Sequence, residues 1–320
     1  MSNLVSRFIS QFNNNGDVAN NHRLIAVCGL ITATLCWGGN AIAGRLSVGD
    51  VPPVALSFWR WVFALLILWL FSGNSVWRQR RIIWRYKGQL SLLAFFSITA
   101  FNTVLYLSAQ STQAVNIALI QTSLPIMAML LSIPVLHALP LRNQMLGGLI
   151  AIPGLLIIFS QGSFENLSNL VFGKGDLLMV LATFCWATYT VLLKRFSLPI
   201  KGSTLLTTLV LLGVVMLFPF YLWELSIKGG FSITASNIGL FIYLVLFPSL
   251  LSYLAWNYGV SVLGASQAAM FIFLIPVFAA VLAIPILNES LESRHILASV
   301  FIFCGLWLTT KPQKKKLADT

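Results

Sequence analysis

SLPIMAMLLSIPVL, residues 123–136, returns 151 residues later as LIPVFAAVLAIPIL, residues 274–287. Each copy carries two prolines nine residues apart, Pro125 and Pro134 in the first and Pro276 and Pro285 in the second. A second match, ATLCW at 33–37 and ATFCW at 182–186, has an offset of 149 residues. Two matches at nearly one offset predict that the chain consists of two halves with the same fold.

The composition predicts a membrane protein. Of 320 residues, 58% are hydrophobic and 9% are charged, whereas a soluble domain carries about 25% charged residues. A spanning helix needs about 20 apolar residues, and its backbone groups pair within the helix. Ten apolar segments of that kind lie at 24–44, 53–71, 90–109, 113–136, 144–161, 176–193, 204–223, 238–258, 262–286 and 295–310. We therefore predict an all-α integral membrane protein with ten transmembrane helices. Because five is odd, the two five-helix repeats would be inverted relative to each other.

The distribution of charge predicts the orientation. If both termini lie on one side, fifteen Lys and Arg residues fall on that side and four on the other, so the positive-inside rule places both termini in the cytoplasm. We interpret the basic stretch WRQRRIIWRYK (77–87) as a topology signal that touches anionic lipid; the alternative is a nucleic-acid patch. The predicted regions are a cytoplasmic tail at 1–23, the first repeat at 24–161, an external linker at 162–174, the second repeat at 175–310 and a basic cytoplasmic tail at 311–320.

These features together resemble the drug/metabolite transporter (DMT) superfamily, and within it the EamA-type permeases built from two tandem EamA domains. The resemblance covers about residues 24–310 and rests on the ATLCW and ATFCW openings, the arginine in SFWRW (57–61), the proline-containing fourth and ninth helices, and PILNESL (285–291) before a glycine-bearing last helix. It implies ten helices, cytoplasmic termini, a central cavity, and transport of small metabolites, often amino acids. One departure is Ala138 at the position that matches Glu289, where the family tends to have an acid. We therefore do not expect the halves to function symmetrically.

Arg60, in SFWRWVFALLILWL (57–70), is a charge inside an apolar segment. Eleven apolar residues separate it from Ser72, which is about 16 Å of helix and too short to cross a bilayer. The span must therefore include residues 53–59, and Arg60 lies about 10 Å below the outer boundary. An intramembrane arginine indicates a functional site, here an anchor for a substrate carboxylate in a water-filled cavity. The alternative is a side chain that snorkels to the headgroups.

Neutral polar residues in the apolar segments follow the same repeat. Asn102 and Tyr106 lie four residues apart on one helix face, and at an offset of 151 they match Tyr253 and Asn257 with the two residue types exchanged. We expect both pairs to line the cavity, because polar side chains turn away from lipid; the alternative is hydrogen bonding between helices. Further candidates for the substrate-binding wall are Asn40, Tyr189, Trp37 and Trp186.

The four repeated prolines predict bends. Pro125, Pro134, Pro276 and Pro285 each remove a hydrogen bond within a helix. They are candidate hinges for alternating access; the alternative is that they form static bends.

The sequence favours a transporter over other classes of protein. No Asp or Glu lies in the central part of an apolar segment, which argues against a lipophilic cation as substrate, and no paired acids, metal-ligand set or activated nucleophile indicates an enzyme. A selective channel would need rings of charge or filter loops. We predict a secondary transporter, without cofactor or metal, that exports amino acids or related carboxylate-bearing compounds across the cell inner (cytoplasmic) membrane by alternating access. A multidrug or nucleotide-sugar carrier of the same superfamily is the alternative. The expected partners are a small-molecule substrate and the lipid bilayer, not nucleic acid, and a monomer is compatible with the sequence.

Overall fold

The computed structural model of the chain describes residues 2–112, 117, 120–159, 173–200, 202–287 and 293–310. Within these ranges every regular element is helical. Six helices are long and apolar enough to cross a membrane: Asn20–Gly44, Pro53–Arg78, Lys87–Ala109, Lys174–Phe196, Gly202–Lys228 and Ala235–Leu263. Shorter apolar helices cover Leu124–Leu136, Ala265–Ala279 and Ile296–Thr309. The described residues thus confirm an all-helical membrane protein, while the count of ten spans stays a prediction.

Fourteen α-helices are described. They are α1 Ser2–Leu46, α2 Pro53–Arg78, α3 Arg80–Arg85, α4 Lys87–Ala94, α5 Phe101–Ala109, α6 Leu124–Leu136, α7 Arg142–Phe159, α8 Lys174–Phe196, α9 Gly202–Lys228, α10 Ala235–Leu244, α11 Ser252–Leu263, α12 Ala265–Ala269, α13 Leu274–Leu287 and α14 Ser293–Thr310. In the structure α1 begins at Ser2, so the segment predicted as a tail at 1–23 is helical from Ser2 onward. Residues 162–172 of the predicted linker and the tail at 311–320 lie outside the described residues.

Three non-α segments interrupt the spans. A π-helical segment, Phe95–Ala100, joins α4 to α5, and a second one, Val245–Leu251, joins α10 to α11. The two π segments lie at matching places in the two halves, close to the offset of the sequence repeat. A 3₁₀ turn, Met270–Phe273, joins α12 to α13. Because π-helical turns inside α-helices are frequent at functional sites, these places are where a site is expected.

The helices pack in pairs that the repeat relates. In one set of contacts α1 packs on α11 and α13, and in the matching set α8 packs on α5 and α6. The two remaining large contacts, of α2 with α9 and of α7 with α14, each join a helix to its own counterpart. These six large contacts are therefore unchanged when the two halves are exchanged.

Two glycines allow the closest of these approaches. A Cβ atom on Gly305 of α14 would overlap the carbonyl oxygen of Gly147 on α7, and a Cβ atom on Gly147 would lie 2.5 Å from the carbonyl oxygen of Gly305. Small residues of this kind let membrane helices come close enough for backbone contact. The α7–α14 pair is therefore held by van der Waals packing of backbone on backbone.

Candidate functional site

Arg60 lies on α2 with 1% of its surface exposed. Its Nε donates a hydrogen bond to Ser249 Oγ. Its Nη1 donates to Tyr106 OH at 2.6 Å, to Asn102 Oδ1 at 3.0 Å and to Asn40 Oδ1 at 3.5 Å. The guanidinium is therefore held by four groups from three parts of the chain, α1, α5 and the second π segment. The alternative in which Arg60 extends to the membrane surface is wrong for this conformation.

The groups around Arg60 are polar but uncharged. The guanidinium carbon lies 5.0 Å from the ring centre of Trp61 and 6.0 Å from that of Tyr106, distances at which an aromatic face attracts a cation. Among the described residues no carboxylate pairs with Arg60, and none accepts a hydrogen bond from Nη2. An arginine cannot lose its proton in a protein. The site thus holds a net positive charge with two donor hydrogens unused by the described residues.

A second layer of hydrogen bonds orients the residues that hold Arg60. Asn102 Nδ2 donates to Tyr253 OH and to the carbonyl oxygen of Ser97, both at 2.8 Å, and Tyr253 OH donates to the same carbonyl at 2.8 Å. Ser97 lies in the first π segment and Ser249 in the second. Both π segments therefore present backbone or side-chain oxygens to the arginine or to its partners. Nothing in the sequence pattern points to Ser249, because the apolar periodicity does not reveal where a helix widens.

A narrow cavity of about 20 Å³ adjoins Arg60. Its walls are formed by Trp37, Asn40, Arg60, Phe101, Asn102, Leu105, Gln121, Leu124, Thr183, Trp186, Tyr253, Ile272 and Ile275. Six of the nine predicted substrate-binding residues are among them. A space of this size holds about one water molecule. The expectation of an open, water-filled cavity is therefore wrong for this conformation, in which neutral oxygens solvate the guanidinium and leave its charge without a counter-charge from the described residues.

Packed aromatic rings form one wall of the cavity. The ring of Trp37 lies 5.3 Å from Trp186 and 5.2 Å from Trp256, and Trp186 lies 5.0 Å from Tyr253. Trp37 Nε1 donates to the carbonyl oxygen of Pro248 at 3.1 Å, within the second π segment. Edge-to-face and tilted pairs at these distances stabilise each other beyond simple burial. The predicted aromatic wall is thus a rigid, well-packed surface beside the arginine.

The remaining predicted polar residues form a separate pair. Tyr189 OH donates to Asn257 Oδ1, just as Tyr106 OH donates to Asn40 Oδ1, there at 3.2 Å. The two pairs are related by the sequence repeat with the residue types exchanged, yet only the Tyr106–Asn40 pair touches Arg60. Tyr189 and Asn257 do not line the described cavity. Their contact agrees with the alternative of hydrogen bonding between helices, and a role with substrate stays a prediction.

Two of the four repeated prolines lie near the starts of helices beside the cavity. Pro125 lies in the first turn of α6, and Pro276 is the third residue of α13, after the 3₁₀ turn. The first N–H groups of a helix have no partner inside it, so these two prolines remove no hydrogen bond from α6 or α13. Leu124 and Ile275, adjacent to the prolines, both face the cavity. Pro134 lies inside α6 and Pro285 inside α13, and their role as hinges stays a prediction.

Comparison with known proteins gives a consistent result. The EamA-like transporter family matches residues 24–160 and 173–311. An uncharacterized transporter of Archaeoglobus fulgidus is 26% identical over 294 residues, covering 91% of this chain and 98% of that protein. The uncharacterized transporter YyaM of Bacillus subtilis is 27% identical over 285 residues, covering 87% of this chain and 90% of its own. A crystal structure with 17% sequence identity superimposes with a TM-score of 0.66 over 91% of this chain and 96% of that one, which shows similarity of fold alone.

Proposed function

Because the chain belongs to the EamA-like transporter family, we propose that it is a secondary transporter that exports small carboxylate-bearing metabolites, amino acids above all, by alternating access. The membership makes a membrane-embedded carrier of small molecules the general function, and the family's relatives are named as transporters. The proposal adds the substrate class and the mode of transport. It assigns no chemical reaction to the chain.

The observation that carries the substrate class is the state of Arg60. This side chain is buried and positively charged, lines a cavity, and has its Nε and Nη1 hydrogens on neutral oxygens. A carboxylate entering from the cavity would meet the Nη2 hydrogens and supply the counter-charge that no described residue provides. Hydrogen bonds between two charged groups are about twice as strong as neutral ones. A substrate cation would instead be repelled.

The small cavity supports alternating access. Because the cavity of about 20 Å³ holds about one water molecule, an amino acid enters only if the surrounding helices move apart. The helices α6 and α13 both begin beside the cavity, and Pro125, Pro134, Pro276 and Pro285 are our proposed hinges for their movement. Since the six large helix contacts are unchanged when the halves are exchanged, a corresponding rearrangement of the other half would give access from the other side.

We further propose the topology that follows from the repeat. The ten apolar segments form ten spans, in two five-helix repeats of opposite orientation, with both termini in the cytoplasm of a cell whose inner membrane holds the protein. The regions 24–161 and 175–310 are the two repeats. Matching π segments and the exchangeable helix contacts support this arrangement, and the excess of basic residues on the side of the termini supports the orientation.

Counterflow in proteoliposomes tests the function. Vesicles preloaded with an unlabelled compound are assayed for uptake of its labelled form, with a panel of amino acids, cationic drugs and nucleotide sugars. We expect trans-stimulated uptake for amino acids or related carboxylates. The Arg60→Lys and Arg60→Ala variants should lose most of this uptake, and Arg142→Ala, which changes an exposed arginine at the start of α7, is the matched control that should retain it.

The outcomes separate the alternatives. Uptake of cationic drugs or nucleotide sugars without amino acids would replace the proposed substrate class. Uptake without trans-stimulation would indicate a pore and not a carrier. Wild-type rates in both Arg60 variants would remove the arginine from the substrate site.

A further inference from the structure

A second, larger groove lies between α2, α9 and α10. It has a volume of about 610 Å³, which is within the range of sites that hold small molecules. Its walls are mostly apolar and include the aromatic side chains Trp59, Phe63, Tyr221, Phe231 and Phe241. It shares no lining residue with the cavity at Arg60. The groove is therefore a distinct site, and the chemistry of its occupant follows from its own residues.

The groove faces the lipid bilayer. Ile238 and Ile242 line it from α10 and are 50% and 54% exposed, respectively. Phe63 lines it from α2, a span long enough to cross the membrane, and is also exposed. Because the chain is embedded in a membrane, exposed apolar side chains at this depth meet acyl chains and not water. An apolar groove open to the bilayer offers apolar contacts to a hydrocarbon chain.

One end of the groove is charged. Glu224, near the end of α9, lines the groove and is 5% exposed. Its Oε2 accepts a hydrogen bond from the backbone N–H of Ala55 at 2.7 Å, in the first turn of α2. Its Oε1 lies 3.6 Å from Nζ of Lys228, whose side chain is half exposed. Since these residues lie at helix ends, the carboxylate and the ammonium stand together at the level where the hydrocarbon gives way to headgroups.

We propose that this groove is a binding site for one molecule of phosphatidylethanolamine. An acyl chain occupies the apolar groove, the ethanolamine ammonium donates a hydrogen bond to Glu224 Oε1, and the lipid phosphate accepts one from Lys228 Nζ. The pair of opposite charges on the protein matches the pair of opposite charges on this headgroup. Phosphatidylcholine has no N–H to donate, and phosphatidylglycerol has no cation for Glu224, so both should bind more weakly. The proposal does not depend on the identity of the transported substrate.

The second π segment connects the groove to the cavity at Arg60. Val245 and Leu246 line the groove and begin the second π segment. Ser249 in the same segment accepts the hydrogen bond from Arg60 Nε. A lipid in the groove therefore contacts the segment that orients the arginine.

Native mass spectrometry of the purified full-length protein tests the proposal. The protein is delipidated and titrated with phosphatidylethanolamine, phosphatidylcholine or phosphatidylglycerol of identical acyl chains. We expect one molecule of phosphatidylethanolamine to bind at least tenfold more tightly than either of the others. Glu224→Gln keeps an oxygen for the Ala55 N–H and should abolish this preference. Ile242→Trp should fill the groove and remove the bound lipid, whereas Val300→Trp, at a similarly exposed apolar position on α14, should leave it in place.

Three results would overturn the proposal. They are equal binding of the three lipids to the wild type, an unchanged preference in Glu224→Gln, and equal effects of Ile242→Trp and Val300→Trp. A preference for phosphatidylglycerol would also contradict it, because Lys228 alone would then select the lipid. The melting temperature of each variant is compared with that of the wild type. If Glu224→Gln melts at a lower temperature, Lys228→Gln replaces it, because this variant leaves the hydrogen bond from the Ala55 N–H to Glu224 intact. Lys228→Gln should weaken the binding of phosphatidylethanolamine at least tenfold. Transport is not part of the readout, so failure here leaves the proposed function standing.

Discussion

Asn40→Asp places a carboxylate beside a buried cation that no described residue neutralises. Asn40 Oδ1 lies 3.5 Å from Arg60 Nη1 and accepts the Tyr106 hydroxyl at 3.2 Å, so the substitution changes charge with almost no change in shape. At that distance and an effective dielectric constant of about 20, the attraction between the two charges is about 5 kcal/mol. Removing the new carboxylate from water costs several kcal/mol. We therefore expect a net stabilisation of about 1–2 kcal/mol.

The same charge should weaken transport. If a substrate carboxylate uses the unpaired charge of Arg60, an internal carboxylate competes with it, and each loss of about 1.4 kcal/mol of binding raises the half-saturation concentration tenfold. We expect a rise of about 10- to 100-fold in proteoliposome uptake, together with a higher melting temperature by differential scanning fluorimetry. Greater stability with weaker substrate binding is a combination that general damage to the fold does not produce.

Asn257→Asp is the matched control. Asn257 accepts the Tyr189 hydroxyl as Asn40 accepts the Tyr106 hydroxyl, but no described guanidinium lies beside it. The new carboxylate would be buried without a cation, so the melting temperature should fall. A wild-type half-saturation concentration in Asn40→Asp would refute the reasoning. Equal changes of stability in the two variants would refute it as well, because the effect would then not come from Arg60.

Two further predictions concern stability. Gly305→Leu should lower the melting temperature, because the new side chain forces α7 and α14 apart where Gly147 lies against Gly305, at a cost of about 1–3 kcal/mol or more. Gly88→Leu is the control and should not lower it, because Gly88 has open space around it. Equal melting temperatures of the two variants would contradict the close packing. Asp176→Ala should cost about 1–2 kcal/mol in a denaturant titration, because Asp176 caps the start of α8 and accepts the Thr112 hydroxyl; an unchanged transition would mean that this cap does not contribute.

Much of the site follows from the sequence because Arg60 is conspicuous as a charge in an apolar segment and several of its neighbours obey the repeat. Asn102, Tyr106 and Tyr253 are polar residues in apolar segments, and the helix faces that carry such residues turn away from lipid toward neighbouring helices. The structure brings Arg60 into contact with Asn102 and Tyr106, and links Tyr253 through Asn102. The starts of α2, α8 and α9 also lie within two residues of the starts of the predicted apolar segments, whereas α2 and α9 extend seven and five residues beyond the predicted ends at 71 and 223.

Other features depend on tertiary packing. Ser249 contacts Arg60 from a π segment. The spacing of apolar residues does not show where a helix widens into a π turn, so this contact is not predictable from the sequence. Gln121 lines the cavity just before α6 begins at Leu124, and composition does not determine which polar residues of an apolar segment reach a cavity. The volume of the cavity depends on how far the aromatic rings close over it, and that is a property of one conformation.

Selection of substrates by Arg60 through their carboxylate is measured with two substrates that differ at this group. Once the panel has identified a transported amino acid, its uptake is compared with that of its uncharged-carboxamide analogue, in wild-type and Arg60→Gln proteoliposomes. We predict that the wild type prefers the carboxylate by at least about tenfold, as expected for one charge-assisted contact of about 1.5–3 kcal/mol, and that Arg60→Gln removes the preference. An equal preference for the carboxylate in both proteins would contradict the account.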